Sequence, residues 1–169
     1  MTTVTVISED GQPFTVRRSV FKQIGIYRGI VEDDSLDTSD LPPFPIHAVT
    51  GNILSKVIAY LDATVGDPST IDTTDDNDDQ DMMLMSVDDV QSPRDRAFFA
   101  SLDLPTLIEL TKAANYLHCP RLLEQCCRAV AGHMRGLSTE QLREKFNIDN
   151  DFTKDEEERL RKETAWCFE

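Results

Sequence analysis

The C-terminal segment from Asn150 to Glu169 constrains the fold of this chain most, because it predicts a helix that cannot bury itself. Thr153, followed three positions later by Glu156, is typical of a capping box that starts a helix. The interior of this helix is charged, and its apolar residues are Leu160 and a terminal cluster: Ala165, Trp166, Cys167 and Phe168. A helix of about four turns rarely persists alone in water. We therefore expect a surface that another protein completes.

The charges on this predicted helix follow an order that stabilises it. Acidic residues crowd its start and basic residues follow, which complements the helix dipole. Glu157 with Arg161 and Glu158 with Lys162 have the i,i+4 spacing of stabilising ion pairs. From the residues alone, Trp166 has two interpretations: it packs on its own domain, or it is buried by a partner.

Size and charge exclude several classes of function. The 169 residues suit one domain with an appendage. A net charge of −14 disfavours nucleic acids and anionic membranes, since both attract positive charge. No apolar run approaches the roughly 20 residues of a membrane span. Glu9 and Asp10 interrupt any apolar stretch near the N-terminus, so we expect no signal peptide and a location in the cytoplasm and nucleus.

The cysteines predict neither a metal site nor an enzyme. There are four, at 119, 126, 127 and 167, with no Cys-x-x-Cys pair, and the three histidines complete no zinc spacing. Cys126 and Cys127 lie on an apolar helix face and are interpreted as core thiols. Cys119 beside His118 lacks an orienting third group, so catalysis is the least favoured class. We expect no cofactor, no metal and no small-molecule substrate.

The N-terminal half mixes strands and helices. Alternating apolar residues on either side of the turn Glu9–Pro13 predict a hairpin. Ser19–Asp33 predicts one or two short helical segments, and the Pro-rich run Leu41–Ile46 predicts an edge strand. Thr50 is expected to cap a helix whose apolar residues have helical spacing: Ile53, Leu54, Val57, Ile58 and Leu61.

The middle of the chain is acidic and predicts no packed structure. Between Asp67 and Asp89 there are nine Asp residues and no Lys, Arg or Glu. Dense like charge without apolar periodicity is typical of disorder, so residues 67–91 are predicted to form an acidic disordered loop.

Beyond this loop the pattern predicts helices throughout. Ser92-Pro93 is a cap followed by Pro at the first helical position. Helices are predicted over Thr106–Leu117 and from Pro120 to a glycine stop at Gly136. Ser138 with Gln141 gives another capping box, opening a helix to Phe146.

The helix that begins at Pro120 has an apolar face wider than one core contact needs. Its apolar residues are Leu122, Leu123, Cys126, Cys127, Val130, Ala131 and Met134. Either the helix is central in the fold, or one side packs on its own domain and the other side on a partner.

Three separated blocks of the C-terminal half resemble a known family. Ala113–Leu117 (AANYL), Phe146–Thr153 (FNIDNDFT) and Arg161–Cys167 (RKETAWC) are similar, in order and spacing, to the S-phase kinase-associated (SKP) adaptors of SCF ubiquitin ligases. The similarity extends over Leu104–Glu169. The N-terminal half matches more loosely, through the hairpin, the helix containing Asn52–Ile58 and the acidic loop.

This resemblance implies an α+β fold and a role in ubiquitination. Residues 1–135 would form a BTB/POZ domain, a small sheet wrapped by helices, and residues 136–169 a two-helix extension that binds F-box proteins. The implied function is a non-catalytic adaptor that links an F-box substrate receptor to a cullin scaffold and so promotes substrate ubiquitination. A weak homodimer of the free adaptor is a further expectation.

The resemblance also implies two contact surfaces. The cullin-binding pair would be Asn115 and Tyr116. The F-box-binding residues would be Leu107, Leu123, Val130, Met134, Leu142, Ile148, Asn150, Trp166 and Cys167.

Two departures from the family pattern concern packing and partner choice. The run Tyr60–Thr64 replaces a Trp-Cys-x-x-His-His run of the family. Thr111 stands where an aliphatic residue is expected one turn after Leu107.

Two other functions stay open at this point. One is an F-box-binding subunit of a cullin-free complex, such as a kinetochore assembly or a regulator of the vacuolar ATPase. The other is a generic BTB/POZ dimerisation module.

Overall fold

The computed structural model describes residues 3–27, 42–65 and 92–167. The chain forms two compact units, Met1–His133 and Met134–Glu169. The predicted domain boundary between residues 135 and 136 stays a prediction. The acidic tract 67–91 and the end of the predicted helical segment Ser19–Asp33 lie outside the described residues.

A three-stranded sheet opens the first unit. Strands β1 (Thr3–Ile7) and β2 (Pro13–Arg17) form the predicted antiparallel hairpin. Strand β3 (Phe44–Pro45) pairs parallel with β1, which gives the order β2-β1-β3 and confirms a short edge strand in the Pro-rich run. Val4 lies opposite Val16, and both side chains are buried.

The described helices of the first unit surround this sheet. They are α1 (Arg18–Phe21), a 3₁₀ turn (Gly25–Tyr27), α2 (Gly51–Thr64), α3 (Pro93–Ala100), α4 (Leu104–Tyr116) and α5 (Pro120–Met134), whose last residue begins the second unit. Ser92 caps α3 as predicted, because its hydroxyl accepts a bond from the Asp95 N–H. Helix α4 begins two residues before the predicted start, at a cap formed by Asp103. Together the sheet and helices form an α+β fold.

Helix α2 starts differently from the prediction. Thr50 occupies the N-cap position, but its side chain makes no capping bond. The carboxylate of Asp10, at the tip of the hairpin, accepts the Gly51 N–H at 2.8 Å instead. A Cβ on Gly51 would collide with the side chain of Gln12. The hairpin tip is therefore fastened to the start of α2, and glycine allows the close approach.

Asp10 should make the first unit sensitive to acid. The hydroxyl of Ser8, together with the Gly51 N–H, lowers the pKa of the Asp10 carboxyl below its ordinary value of 3.8. Because the folded-state pKa lies below the unfolded one, this stabilisation is complete above the unfolded pKa and is lost as pH falls through the folded pKa. We expect Asp10→Asn to lower the melting temperature at pH 7. The difference in melting temperature between this variant and the unmodified chain should become smaller as the pH falls toward 3.

Glu9→Gln is the matched control, because Glu9 is exposed and its backbone N–H, rather than its side chain, bonds the segment before α2, at the Val49 carbonyl (3.0 Å). Thermal melts of both variants between pH 7 and pH 3 test the expectation. Identical melts for the two variants across this range would contradict a capping role for Asp10.

The core of the first unit joins the sheet to α2, α4 and the first half of α5. Helices α2 and α4 pack against each other. Tyr60, in the run that departs from the family pattern, is buried, and its ring centroid lies 5.4 Å from Phe98 and 5.8 Å from Phe99. Among the described residues, the fully buried large side chains include Phe21, Ile24, Ile46, Leu54, Leu107, Leu110, Leu117, Leu122, Val6, Val16 and Val20.

The second unit consists of α6 (Thr139–Phe146), α7 (Lys154–Thr164) and a final 3₁₀ turn (Ala165–Cys167). Both predicted capping boxes are confirmed, at Ser138 and at Thr153. No side chain from Met134 to Trp166 is buried. Hydrogen bonds and ion pairs, rather than a core, therefore order this unit.

Within the described ranges, no helix combines the length and apolar character that crossing a membrane requires.

Candidate protein-binding surfaces

The wide apolar face of α5 divides into a covered and an uncovered side. Leu122 and Cys126 are buried in the core, whereas Leu123 and Val130 are half-buried at its margin. Met134, the last residue of the helix, is 45% exposed. The helix is therefore not enclosed by its own domain, and the uncovered side is available to a partner.

The prediction that Cys127 is a core thiol is wrong. Cys127 is exposed, whereas Cys126 is buried as predicted. One residue along a helix turns the side chain by about 100°, which carries position 127 from the covered side to the uncovered side. Burial raises the pKa of the Cys126 thiol to about 12.

Cys119 lacks the features of a catalytic nucleophile. Its side chain is buried, and its thiol donates to the carbonyl oxygen of Gln23 at 3.5 Å. Burial raises the pKa of this thiol to about 12. Since the thiolate is the reactive form, Cys119 stays protonated and inert near pH 7. Among the described residues, no group of three or more His, Cys, Asp or Glu side chains is placed to hold a metal ion.

The second unit exposes large apolar side chains that its own fold does not use. Trp166 is 76% exposed and Ile148 is 57% exposed. Phe152 and Leu160 are also exposed, whereas Leu142 is half-buried. Phe152 lies outside the predicted F-box set. Leu160 also lies outside that set, although the sequence indicated it as one of the few apolar residues of the helix that a partner completes. No feature of the sequence distinguished Phe152 from a core residue.

A polar network connects α6 to α7. The Arg143 guanidinium lies 3.1 Å from the Glu157 carboxylate, and Arg161 lies 3.1 Å from Glu140. The predicted i,i+4 pair between Glu157 and Arg161 is thus replaced by two pairs that cross to the preceding helix. These pairs hold the two helices together where a core is missing.

Asn150 is exposed and takes part in this network. Its amide donates to the Glu157 carboxylate at 3.3 Å, and its carbonyl accepts the Phe152 N–H at 3.3 Å. Both polar groups of Asn150 are therefore engaged within the second unit.

Leu107, a member of the predicted F-box set, has no exposed surface and lies in the core of the first unit. This burial favours a core role, and the predicted F-box contact of Leu107 stays a prediction. Neighbouring Thr111 donates its hydroxyl to the Leu107 carbonyl at 2.7 Å. The side chain of Cys167 lies outside the described residues.

Asn115 and Tyr116 end helix α4 and are both exposed, Tyr116 by 39%. The chain then reverses at His118, which has a φ of 51°. A Cβ on Gly25 would clash with the backbone of His118, so the 3₁₀ turn and the end of α4 approach each other closely. The predicted cullin-binding pair therefore lies at a closely packed corner of the first unit.

Tyr27 is a neighbour of Tyr116 that no sequence pattern singled out. Burial, with a smaller contribution from Tyr116, raises the pKa of the Tyr27 hydroxyl. This hydroxyl donates to the Pro45 carbonyl at 2.7 Å, and the Tyr27 ring stacks on Phe21 with centroids 5.2 Å apart. Two tyrosines far apart in the chain thus lie at one corner.

Comparison with known proteins gives the same family across the chain. Residues 2–65 match the model of the Skp1 family tetramerisation domain, and residues 120–167 match that of the Skp1 family dimerisation domain. The chain is 35% identical to SKP1-like protein 16 of Arabidopsis thaliana, over 98% of this chain and 95% of that protein. It is 37% identical to a Skp1-related protein of Caenorhabditis elegans, over 97% and 90%. It is 38% identical to the SCF ubiquitin ligase complex protein SKP1a of Dictyostelium discoideum, over 99% and 96%. The chain therefore belongs to the Skp1 family.

Proposed function

We propose that this chain is the adaptor subunit of an SCF-type cullin–RING ubiquitin ligase, joining an F-box substrate receptor to a cullin and performing no chemistry itself. Family membership supports the proposal, as does the Dictyostelium relative, whose name places it in an SCF complex. The observation that carries it is the second unit, whose described side chains from Met134 to Trp166 include no buried one, yet which displays Trp166, Ile148 and Phe152.

The F-box protein would cover these side chains. Fully burying one large apolar side chain contributes about 1.5–3 kcal/mol, so three of them offset much of the cost of association. On the first unit, half-buried Leu123 and Val130 of α5 are further apolar side chains of the predicted F-box set. Aromatic anchors such as Trp166 dominate the energetics of many interfaces.

The cullin would use the corner formed by Asn115, Tyr116 and Tyr27. This corner combines an exposed amide with two tyrosine side chains, which suits a contact requiring both hydrogen bonds and packing. We further propose that the complex acts in the cytoplasm and nucleus, where free thiols such as Cys119 and Cys126 stay reduced.

Two reciprocal variants test whether the partners use separate surfaces. Asn115→Ala with Tyr116→Ala is expected to weaken cullin binding at least tenfold, about 1.4 kcal/mol, and to leave F-box binding unchanged. Removal of residues 151–169 is expected to abolish F-box binding and preserve the thermal transition of the first unit. Titration calorimetry with a cullin N-terminal domain and with an F-box domain measures both affinities.

Each variant serves as the control for the other, because each should retain one partner. Equal loss of both partners in both variants would contradict the two-surface proposal. Binding of the unmodified chain to the F-box domain without any binding to a cullin would favour the cullin-free function instead.

Self-association is a second candidate, which the dimerisation and tetramerisation descriptions of the matched family models favour. Light scattering of the free chain measures it. A tight homodimer that does not bind the F-box domain would support a dimerisation module over the adaptor.

A further inference from the structure

One carboxylate connects three parts of the second unit. Glu157 on α7 pairs with Arg143 on α6 and accepts the amide of Asn150 from the intervening loop. The side chains of Arg143 and Glu157 are 19% and 33% exposed, compared with 74% and 61% for the second pair, Arg161 and Glu140. Exposed ion pairs contribute little to stability, so the less exposed pair between Arg143 and Glu157 is expected to stabilise this unit more than the pair between Arg161 and Glu140.

The same network reaches the exposed apolar residues. The side-chain carbonyl of Asn150 accepts a hydrogen bond from the Phe152 N–H, and the Arg143 guanidinium lies 6.0 Å from the centroid of the Phe152 ring. The Arg143 carbonyl also accepts the Ile148 N–H at 2.8 Å. We name Arg143, Asn150, Phe152 and Glu157 the Glu157 hub. The hub thus fixes the backbone beside both Ile148 and Phe152.

We propose that Glu157 is a positioning residue for F-box binding, which holds the loop between α6 and α7 in its binding conformation before the partner arrives. This inference rests on the proposed function and changes the role of Asn150 from a contact residue to a member of the hub. The physical reason is preorganisation. In a unit without a core, a loop that is ordered in advance spares the partner the entropic cost of ordering it.

Kinetics distinguish a positioning residue from a contact residue. Loss of preorganisation lowers the fraction of binding-competent molecules, which slows association. Loss of a contact with the partner accelerates dissociation. Glu157→Gln keeps the size of the side chain and an acceptor for Asn150, but it removes the charge that pairs with Arg143.

Glu158→Gln is the matched control, since it makes the same charge change at an exposed neighbouring position. Biolayer interferometry with an immobilised F-box domain measures both rate constants. For Glu157→Gln we expect association about three- to tenfold slower and dissociation within twofold of the unmodified chain. Both rate constants of Glu158→Gln should stay within twofold.

Asn150→Ala should show the same slow association. In the double variant with Glu157→Gln, the fold-decrease in the association rate constant should be smaller than the product of the fold-decreases in the two single variants. The reason is that the two residues share one network. Amide exchange of the Phe152 N–H, followed by NMR in the free chain, should accelerate in Glu157→Gln and not in Glu158→Gln.

Faster dissociation of Glu157→Gln, or rate constants equal to those of Glu158→Gln, would overturn the positioning role alone. If the unmodified chain does not bind the F-box domain, the proposed function fails, and the positioning role fails with it.

Discussion

Replacing Trp166 with alanine is expected to weaken F-box binding about 30-fold or more without changing the unfolding of the first unit. The side chain is 76% exposed, so its removal takes little from the fold of the chain itself. An anchoring Trp at an interface typically contributes about 2–4 kcal/mol, which corresponds to roughly 30- to 1000-fold in affinity. Titration calorimetry with an F-box domain, together with thermal melts of the free variants, measures the two effects.

Tyr116→Ala is the matched control, because Tyr116 is another exposed aromatic residue and belongs to the proposed cullin corner. It should retain F-box affinity within about twofold and lose cullin affinity. Trp166→Phe should fall between the unmodified chain and Trp166→Ala. A marked fall in stability for Trp166→Ala with unchanged F-box binding would show that Trp166 packs on its own chain.

Replacing Leu107 with alanine is expected to lower the free energy of unfolding by about 2–5 kcal/mol. Leu107 has no exposed surface, so truncation leaves a cavity beside neighbours that are themselves fully packed. Urea unfolding followed by far-UV circular dichroism measures the change. This prediction separates the core role of Leu107 from the contact role that the family resemblance implied.

Leu123→Ala provides the comparison, since Leu123 is half-buried at the margin of the core. Its effect on stability should be smaller than that of Leu107→Ala, and its effect on F-box affinity larger. Unchanged stability of Leu107→Ala with loss of F-box binding would restore Leu107 to the contact surface.

Local signals in the sequence predicted local structure well. The capping boxes at Ser138 and Thr153, the Ser92 cap and the hairpin were all confirmed, because each depends on residues within a few positions. The start of α2 was the exception. There the capping carboxylate comes from Asp10, which is distant in sequence, and no local pattern reveals such a donor and acceptor pair.

Periodicity indicated the apolar face of α5, but it did not show which edge of that face the domain covers. Cys127 and Cys126 are adjacent and equally apolar, and only the neighbouring elements decide that one is exposed and the other buried. The same limit applied to Leu107, whose family position suggested contact although the core encloses it.

The candidate site was therefore predictable in kind rather than in detail. The family blocks indicated Trp166, Ile148 and the pair Asn115 and Tyr116, and the structure places each of them at an exposed position. The hydrogen bond from Asn150 to Glu157 could not be predicted, because it depends on how α7 packs against α6.

The absence of buried side chains between Met134 and Trp166 has an evolutionary consequence. Caps and ion pairs order this region, so Ile148 and Trp166 are released from the packing constraints that govern a core. Under the proposed function, substitutions at these two positions would change which receptor is chosen while the helices persist. Recognition and structural integrity would then depend on different residues, and a lineage of adaptors could diversify its receptors without first losing its fold.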